Sequence, residues 1–183
     1  MAISSTFVTG QVFTAADANL MANSGLVYVT SATVGSGVSS VTVSGAFNST
    51  YDNYVVIYTG GVNSVNCGLS LALGSSTTQY YNTLIYGSYA GTGPSFATTN
   101  NNRVWWAWAG GGSSDAIFLN VTLLSPFASK FTRIMGQTYD GVDNAGAMQG
   151  IHKVAASYSA FTITTDAGTM TGGTVTVYGY RKA

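Results

Sequence analysis

Apolar and polar residues alternate at period two in one short segment after another, and glycine, asparagine and serine break the chain between them. The pattern runs through "VSSVTVS" (38–44), "NYVVIYT" (53–59), "CGLSLAL" (67–73), "YYNTLIY" (80–86), "RVWWAWA" (103–109) and "AIFLNVTLL" (116–124). It continues through "KFTRIMGQTY" (130–139), "MQGIHKVA" (148–155), "AFTITT" (160–165) and "TVTVYGY" (174–180). Successive side chains of a strand point to opposite faces, so this period buries one face of each segment and leaves the other to solvent or a neighbour. Many such segments with turn residues between them predict an all-β sandwich or barrel, read here as an antiparallel, jelly-roll-like β-sandwich. In "AIFLNVTLL" the core face is Ile117, Leu119, Val121 and Leu123. Near the end of the chain Phe161 and Ile163 are expected to face inward and to pair with Val175 and Val177 across "DAGTMTGG". Thr174, Thr176, Tyr178 and Tyr180 then face outward. The stretches at 87–102 and 110–114 ("GGGSS") have the composition of surface loops.

A chain of 183 residues is long enough for one domain with a substantial core. Its surface is unusual, because only 7% of the residues are charged, none is glutamate and the net charge is zero. Nucleic-acid binding depends on a basic stripe that displaces counterions, and no such stripe exists here. So few charges, with a positive mean hydropathy of +0.24, predict that neighbouring subunits cover part of the surface. No apolar run approaches membrane-spanning length, so no membrane insertion is expected. The opening "MAISSTFVTG" lacks the basic and apolar regions of a secretory signal, which predicts synthesis in the cytoplasm. A single cysteine, Cys67, rules out an intrachain disulfide framework.

The N-terminal stretch departs from the strand pattern. Thr14 is placed as an N-cap, Asp17 follows three residues later in the position of a capping box, and Gly25 can close a helix. Residues 1–25 are therefore read as an arm with one short helix, and residues 26–183 as the β-domain. Ala16, Leu20 and Met21 form the apolar face of that helix, and with Phe13 they are the expected docking residues. A helix this short is marginal alone and needs a surface to pack on.

Both ends of the chain resemble a known group. "MAISSTFVTGQVFTAADAN" resembles the opening of small tail-fibre-like and minor virion proteins of tailed bacteriophages, where a G-x-V-[FL]-T-A-A core precedes a β-rich body. "GGTVTVYGYRKA" is similar to the closing strand of phage fibre and receptor-binding modules, with its T-[VI]-x-[VL]-Y-G pattern. The resemblance covers about the first twenty and last twelve residues. It implies a virion surface protein assembled in the host cytoplasm, attached through its arm to capsid or tail proteins, often as a homotrimer. Such a protein is either a host-contacting fibre or a capsid decoration. A carbohydrate-binding module outside any virion is the alternative, and a small hydrolase is a third class.

Catalytic chemistry finds little support in the sequence, and the chain is read as a non-enzyme without cofactors. His152 is the only histidine, and spacing offers it neither a nucleophile nor an orienting acid. It is expected to be structural or surface-exposed. Cys67 has no basic neighbour to lower its pKa and reads as a small buried hydrophobe. Asp140 and Asp143 in "YDGVDNAG" stand close together, but the spacing fails the calcium-loop pattern, so a hairpin turn is the simpler reading. The sequons at Asn48 and Asn120 are ascribed to chance in a chain rich in Ser and Thr. In "RVWWAWAGGG", alternation places Trp106 and Trp108 on one face with Val104, and Trp105 on the other. Trp106 and Trp108 are expected to plug the core. The functional alternative gives Trp105, with Tyr86 or Tyr89, a role in stacking on a host glycan or anchoring a partner.

Overall fold

The computed structural model describes Val12, Thr14 and residues 25–91, 93–139 and 143–181, with the backbone alone over 98–102. Among these residues the chain is all-β, with no helix. The expected helical arm lies outside the described residues, as do Phe13, Ala16, Leu20 and Met21. In chain order the strands are β1 (Leu26–Thr33), β2 (Ser40–Val43), β3 (Asn53–Thr59), β4 (Val62–Asn63), β5 (Cys67–Leu73), β6 (Tyr80–Ser88) and β7 (Ser95–Arg103). They continue as β8 (Trp106–Gly112), β9 (Ile117–Leu124), β10 (Lys130–Tyr139), β11 (Asn144–Ala156), β12 (Phe161–Thr165), β13 (Met170–Thr171) and β14 (Thr174–Tyr180).

Twelve strands form one antiparallel sheet that runs β2-β12-β5-β8-β9-β10-β11-β6-β7, and β3, β14 and β1 branch from β9. The fork follows from how β9 is shared. One edge of β9 pairs with β3 from Asn53 to Tyr58, while the other is divided between β10, opposite Asn120 to Leu124, and β8, opposite Ile117 to Leu119. The inward face of β9 is Ile117, Leu119, Val121 and Leu123, all buried, as the alternation requires. Both branches contribute to a single core. Phe47 joins them, with its ring 4.9 Å from Tyr54 on β3 and 5.6 Å from Phe161 on β12.

The alternating segments at 53–59, 67–73, 130–139 and 174–180 coincide with β3, β5, β10 and β14. Phe161, Ile163, Val175 and Val177 are all buried, as expected. Their strands nevertheless do not pair: β12 lies between β2 and β5, and β14 between β1 and β3. The connecting "DAGTMTGG" carries β13, which pairs with β4, so the chain passes from one branch to the other instead of turning back as a hairpin.

Two stretches with loop composition are mostly strand. Most of 87–102 belongs to strands, since β6 runs to Ser88 and β7 starts at Ser95, and β7 pairs with β6 from Ser95 opposite Tyr86 to Arg103 opposite Tyr80. As an edge strand β7 needs no apolar face, so its polar sequence hides it. Gly110, Gly111 and Gly112 are buried in β8. Their glycines serve close packing rather than flexibility: a Cβ on Gly111 would lie 1.6 Å from the carbonyl oxygen of Tyr139 and 3.0 Å from that of Cys67.

Candidate functional site

The most distinctive local geometry lies in β8, where a bulge overrides the alternation expected of "RVWWAWA". Leu69 pairs with Gly110 and Leu71 with Trp106, so β8 holds Ala107, Trp108 and Ala109 where β5 has Ser70 alone. Extra residues on one strand bend it and re-aim a side chain. The exposed backbone of Ala107 is taken up by Asn82 of β6, whose Nδ2 donates to the Ala107 carbonyl at 2.9 Å and whose Oδ1 accepts from the Ala107 N–H at 3.3 Å. Trp108 is left with φ of 59°. That left-handed region is foreign to bulky residues and costs about 1–3 kcal/mol. Trp106 is fully buried as a core plug, whereas Trp108, expected beside it, is half-buried at the wall of a cleft.

The cleft has a volume of about 270 Å³. Its lining includes the aromatic residues Tyr86 of β6 and Trp108 of β8, together with Leu84, Ala97 and Tyr139 of β10. Thr138, Asn144 and Asp166 bring polar groups to it, and Gly68, Gly110 and Ala145 leave room. Asp166 is the one charged side chain among the described lining residues. Its orientation is fixed by a reciprocal clamp: Oδ1 accepts from the Gly68 N–H at 2.8 Å, and its own N–H donates to the Gly68 carbonyl at 3.0 Å. A Cβ on Gly68 would stand 2.8 Å from Oδ2, so glycine is what admits the carboxylate there. The Tyr139 ring packs beside the exposed Phe118 on the face of β10 opposite Thr138, with ring centroids 5.6 Å apart.

Of the residues that sequence reasoning offered as receptor contacts, the structure brings Tyr86 to the cleft and leaves Trp105 and Tyr89 off its lining. Trp105 is 37% exposed and Tyr89 68%. Trp108, Tyr139, Asn144 and Asp166 are lining residues that the alternation does not mark as contacts. Asp140 lies outside the described residues. Asp143 is exposed, and its carbonyl accepts from the Tyr89 N–H at 2.7 Å.

A second polar cluster surrounds His152, which is fully buried. Its imidazole stacks on Tyr80 at 4.0 Å with an interplanar angle of 1°. Nδ1 lies 3.2 Å from the Gln79 carbonyl, an acceptor only, so Nδ1 carries the proton. Nε2 then accepts from the Tyr158 hydroxyl at 2.8 Å and the Ser76 hydroxyl at 3.0 Å. Ser76 thus stands at the distance of a nucleophile from a base. The same nitrogen is shared with Tyr158, however, and the group orienting the ring is a carbonyl rather than a carboxylate, which makes the cluster a clamp between β6, β11 and the following turn. Burial pushes the imidazole below its ordinary 6.5, with the Gln79 bond acting in the opposite direction. The unfolded chain therefore takes up a proton near 6.5 that the folded chain refuses. The clamp's contribution is complete above that pH and falls below it, by up to about 1.4 kcal/mol per pH unit. Urea denaturation between about pH 7.5 and about 5.5 is expected to show this slope, and His152→Gln to flatten it.

Cys67 is buried, and burial pushes its thiol up, in keeping with its expected role as a small core residue. Comparison of the chain with protein-family models, with characterised proteins and with solved structures finds no match to any of them.

Proposed function

We propose that the chain is a surface protein of a tailed-phage particle, held through residues 1–25 and displaying a jelly-roll-like β-sandwich that touches the host. One observation carries this reading: the strand that follows the arm and the strands that build the cleft are different. The arm leads into β1, which pairs only with β14. The described lining residues of the cleft come from β5, β6, β7, β8, β10, β11 and the turn after β12, and none of them from β1, β14 or β3. Attachment at one place and recognition at another is what a displayed adhesive protein requires. The fork at β9, with both branches on one core, supports reading the sheet as a sandwich.

The surface supports burial against neighbouring subunits, as in a homotrimer. Ile85 and Phe96 oppose one another on β6 and β7 and are 64% and 81% exposed. A cross-strand apolar pair on an edge strand is a liability for a free monomer. The capsid-decoration form shares the attachment but leaves the cleft without a role. A carbohydrate-binding module outside any virion shares the cleft but leaves the arm without one.

Deletion of residues 1–25 separates these readings. The truncated chain is expected to keep a β-type circular dichroism spectrum and a cooperative thermal transition while its incorporation into particles, read by immunoblot of purified virions, falls at least about tenfold. Undiminished incorporation of the truncated chain would contradict attachment through the arm.

A further inference from the structure

We infer that the cleft lined by Tyr86 and Trp108 is a binding site for a neutral hexopyranose, with Trp108 as the stacking platform and Asp166 as the acceptor of sugar hydroxyls. As the recognition half of the proposed division, it rests on that reading for its biological setting.

Each feature of the cleft removes a class of ligand. An anionic ligand needs Arg or Lys, and the described lining supplies only the opposite charge, at Asp166. A purely aliphatic ligand would cover the Asp166 carboxylate, which accepts from the Gly68 N–H at Oδ1, and strip it of water without replacing the lost hydrogen bonds. An extended peptide would need a free strand edge facing the cleft; β5, β6, β8, β10 and β11 are each paired on both sides, and the free edge of β7 lies on the side away from β6 and the other lining strands. A divalent cation needs several oxygen ligands, and one carboxylate does not provide them.

A neutral sugar fits what remains. The C–H face of a pyranose covers an aromatic ring, and its edge presents hydroxyl donors to a carboxylate and mixed donors and acceptors to an amide and a hydroxyl. Trp108 and Tyr86 supply the ring faces, and Asp166, Asn144 and Thr138 the polar edge. A volume of about 270 Å³ sits just below the usual range for small-molecule sites and accommodates one ring, with further residues of a longer glycan outside. The strained φ of Trp108 has a role in this arrangement. Strain concentrates where a side chain must be held away from its relaxed position, and here it takes the indole out of the strand's alternation and sets it at the cleft wall. Asn82, which holds the bulge at Ala107, is a positioning residue for that indole.

The test titrates the full chain with glucose, galactose, mannose, N-acetylglucosamine, N-acetylgalactosamine, glucuronate and N-acetylneuraminic acid, following the Trp108 indole N–H by NMR. The expected result is a saturable shift with at least one of the neutral sugars. Asp166→Asn is expected to weaken that binding about tenfold or more, and Tyr86→Ala comparably, each variant keeping a cooperative thermal transition, while Trp105→Ala leaves it intact. No saturable response to any neutral sugar would overturn the inference. So would a response to the two acidic sugars alone, or binding undiminished in both Asp166→Asn and Tyr86→Ala. Sugar binding by a chain that never enters particles would keep the cleft and remove the virion reading, whereas incorporation without sugar binding would do the reverse.

Discussion

Gly111→Ala is expected to abolish the native fold, with a loss of more than about 4 kcal/mol, beyond the range of ordinary substitutions. The added Cβ would meet the Tyr139 carbonyl oxygen at 1.6 Å and its carbon at 2.7 Å, and the Cys67 carbonyl oxygen at 3.0 Å. All of these are backbone atoms. A clash with a flexible side-chain end is relieved by a rotamer change, but here β10 and β5 would have to separate from β8. Since β8 links the β5 branch to β9, the displacement would open the sheet where it forks. Gly87→Ala is the matched control in β6, because a Cβ there has nothing within 4 Å. It is expected to change stability by no more than about 0.5 kcal/mol. Urea unfolding of both variants, followed by tryptophan fluorescence, measures the contrast.

Trp106→Ala carries the next largest effect, about 3–5 kcal/mol. The indole is fully buried, 5.1 Å from the Tyr80 ring in an edge-to-face arrangement and 6.2 Å from His152. Removing it leaves a large cavity beside the His152 clamp and withdraws one wall of the Tyr80–His152 stack. Two further substitutions separate packing from polarity. Trp106 Nε1 is buried with no hydrogen-bond partner, so Trp106→Phe gives up no hydrogen bond and is expected to cost less than half as much as Trp106→Ala. Trp105→Ala, at the partly exposed neighbour, is expected to cost under about 1 kcal/mol. Equal losses at Trp105 and Trp106 would contradict this division of the pair.

Strand identity was legible in the sequence wherever one face of a strand packs on the core and the other does not. β9 is the clearest case, with Ile117, Leu119, Val121 and Leu123 buried and Phe118 exposed. Three kinds of element escaped that logic. β7 is a polar edge strand whose asparagines and threonines imitate a loop. Gly110–Gly112 imitate a flexible linker although contact with Tyr139 and Leu119 demands them. β1 loses its alternation at the register shift between Tyr28 and Thr30. The partners of β12 and β14 were illegible for a different reason: alternation defines a face, not which strand lies alongside. The cleft was the least visible feature. Tyr86 was singled out, but Trp108 depends on a bulge set by the offset between β5 and β8, and Asp166 on a glycine nearly a hundred residues earlier in the chain.

The proposed place on a virion surface is tested most directly by gold labelling of intact, purified phage particles with an antibody raised against the folded domain, viewed by electron microscopy. Label on the outer surface of the particle, lost in particles made with the chain lacking residues 1–25, is the expected result. Absence of label from every particle, with the protein recovered only from the unassembled fraction, would contradict it.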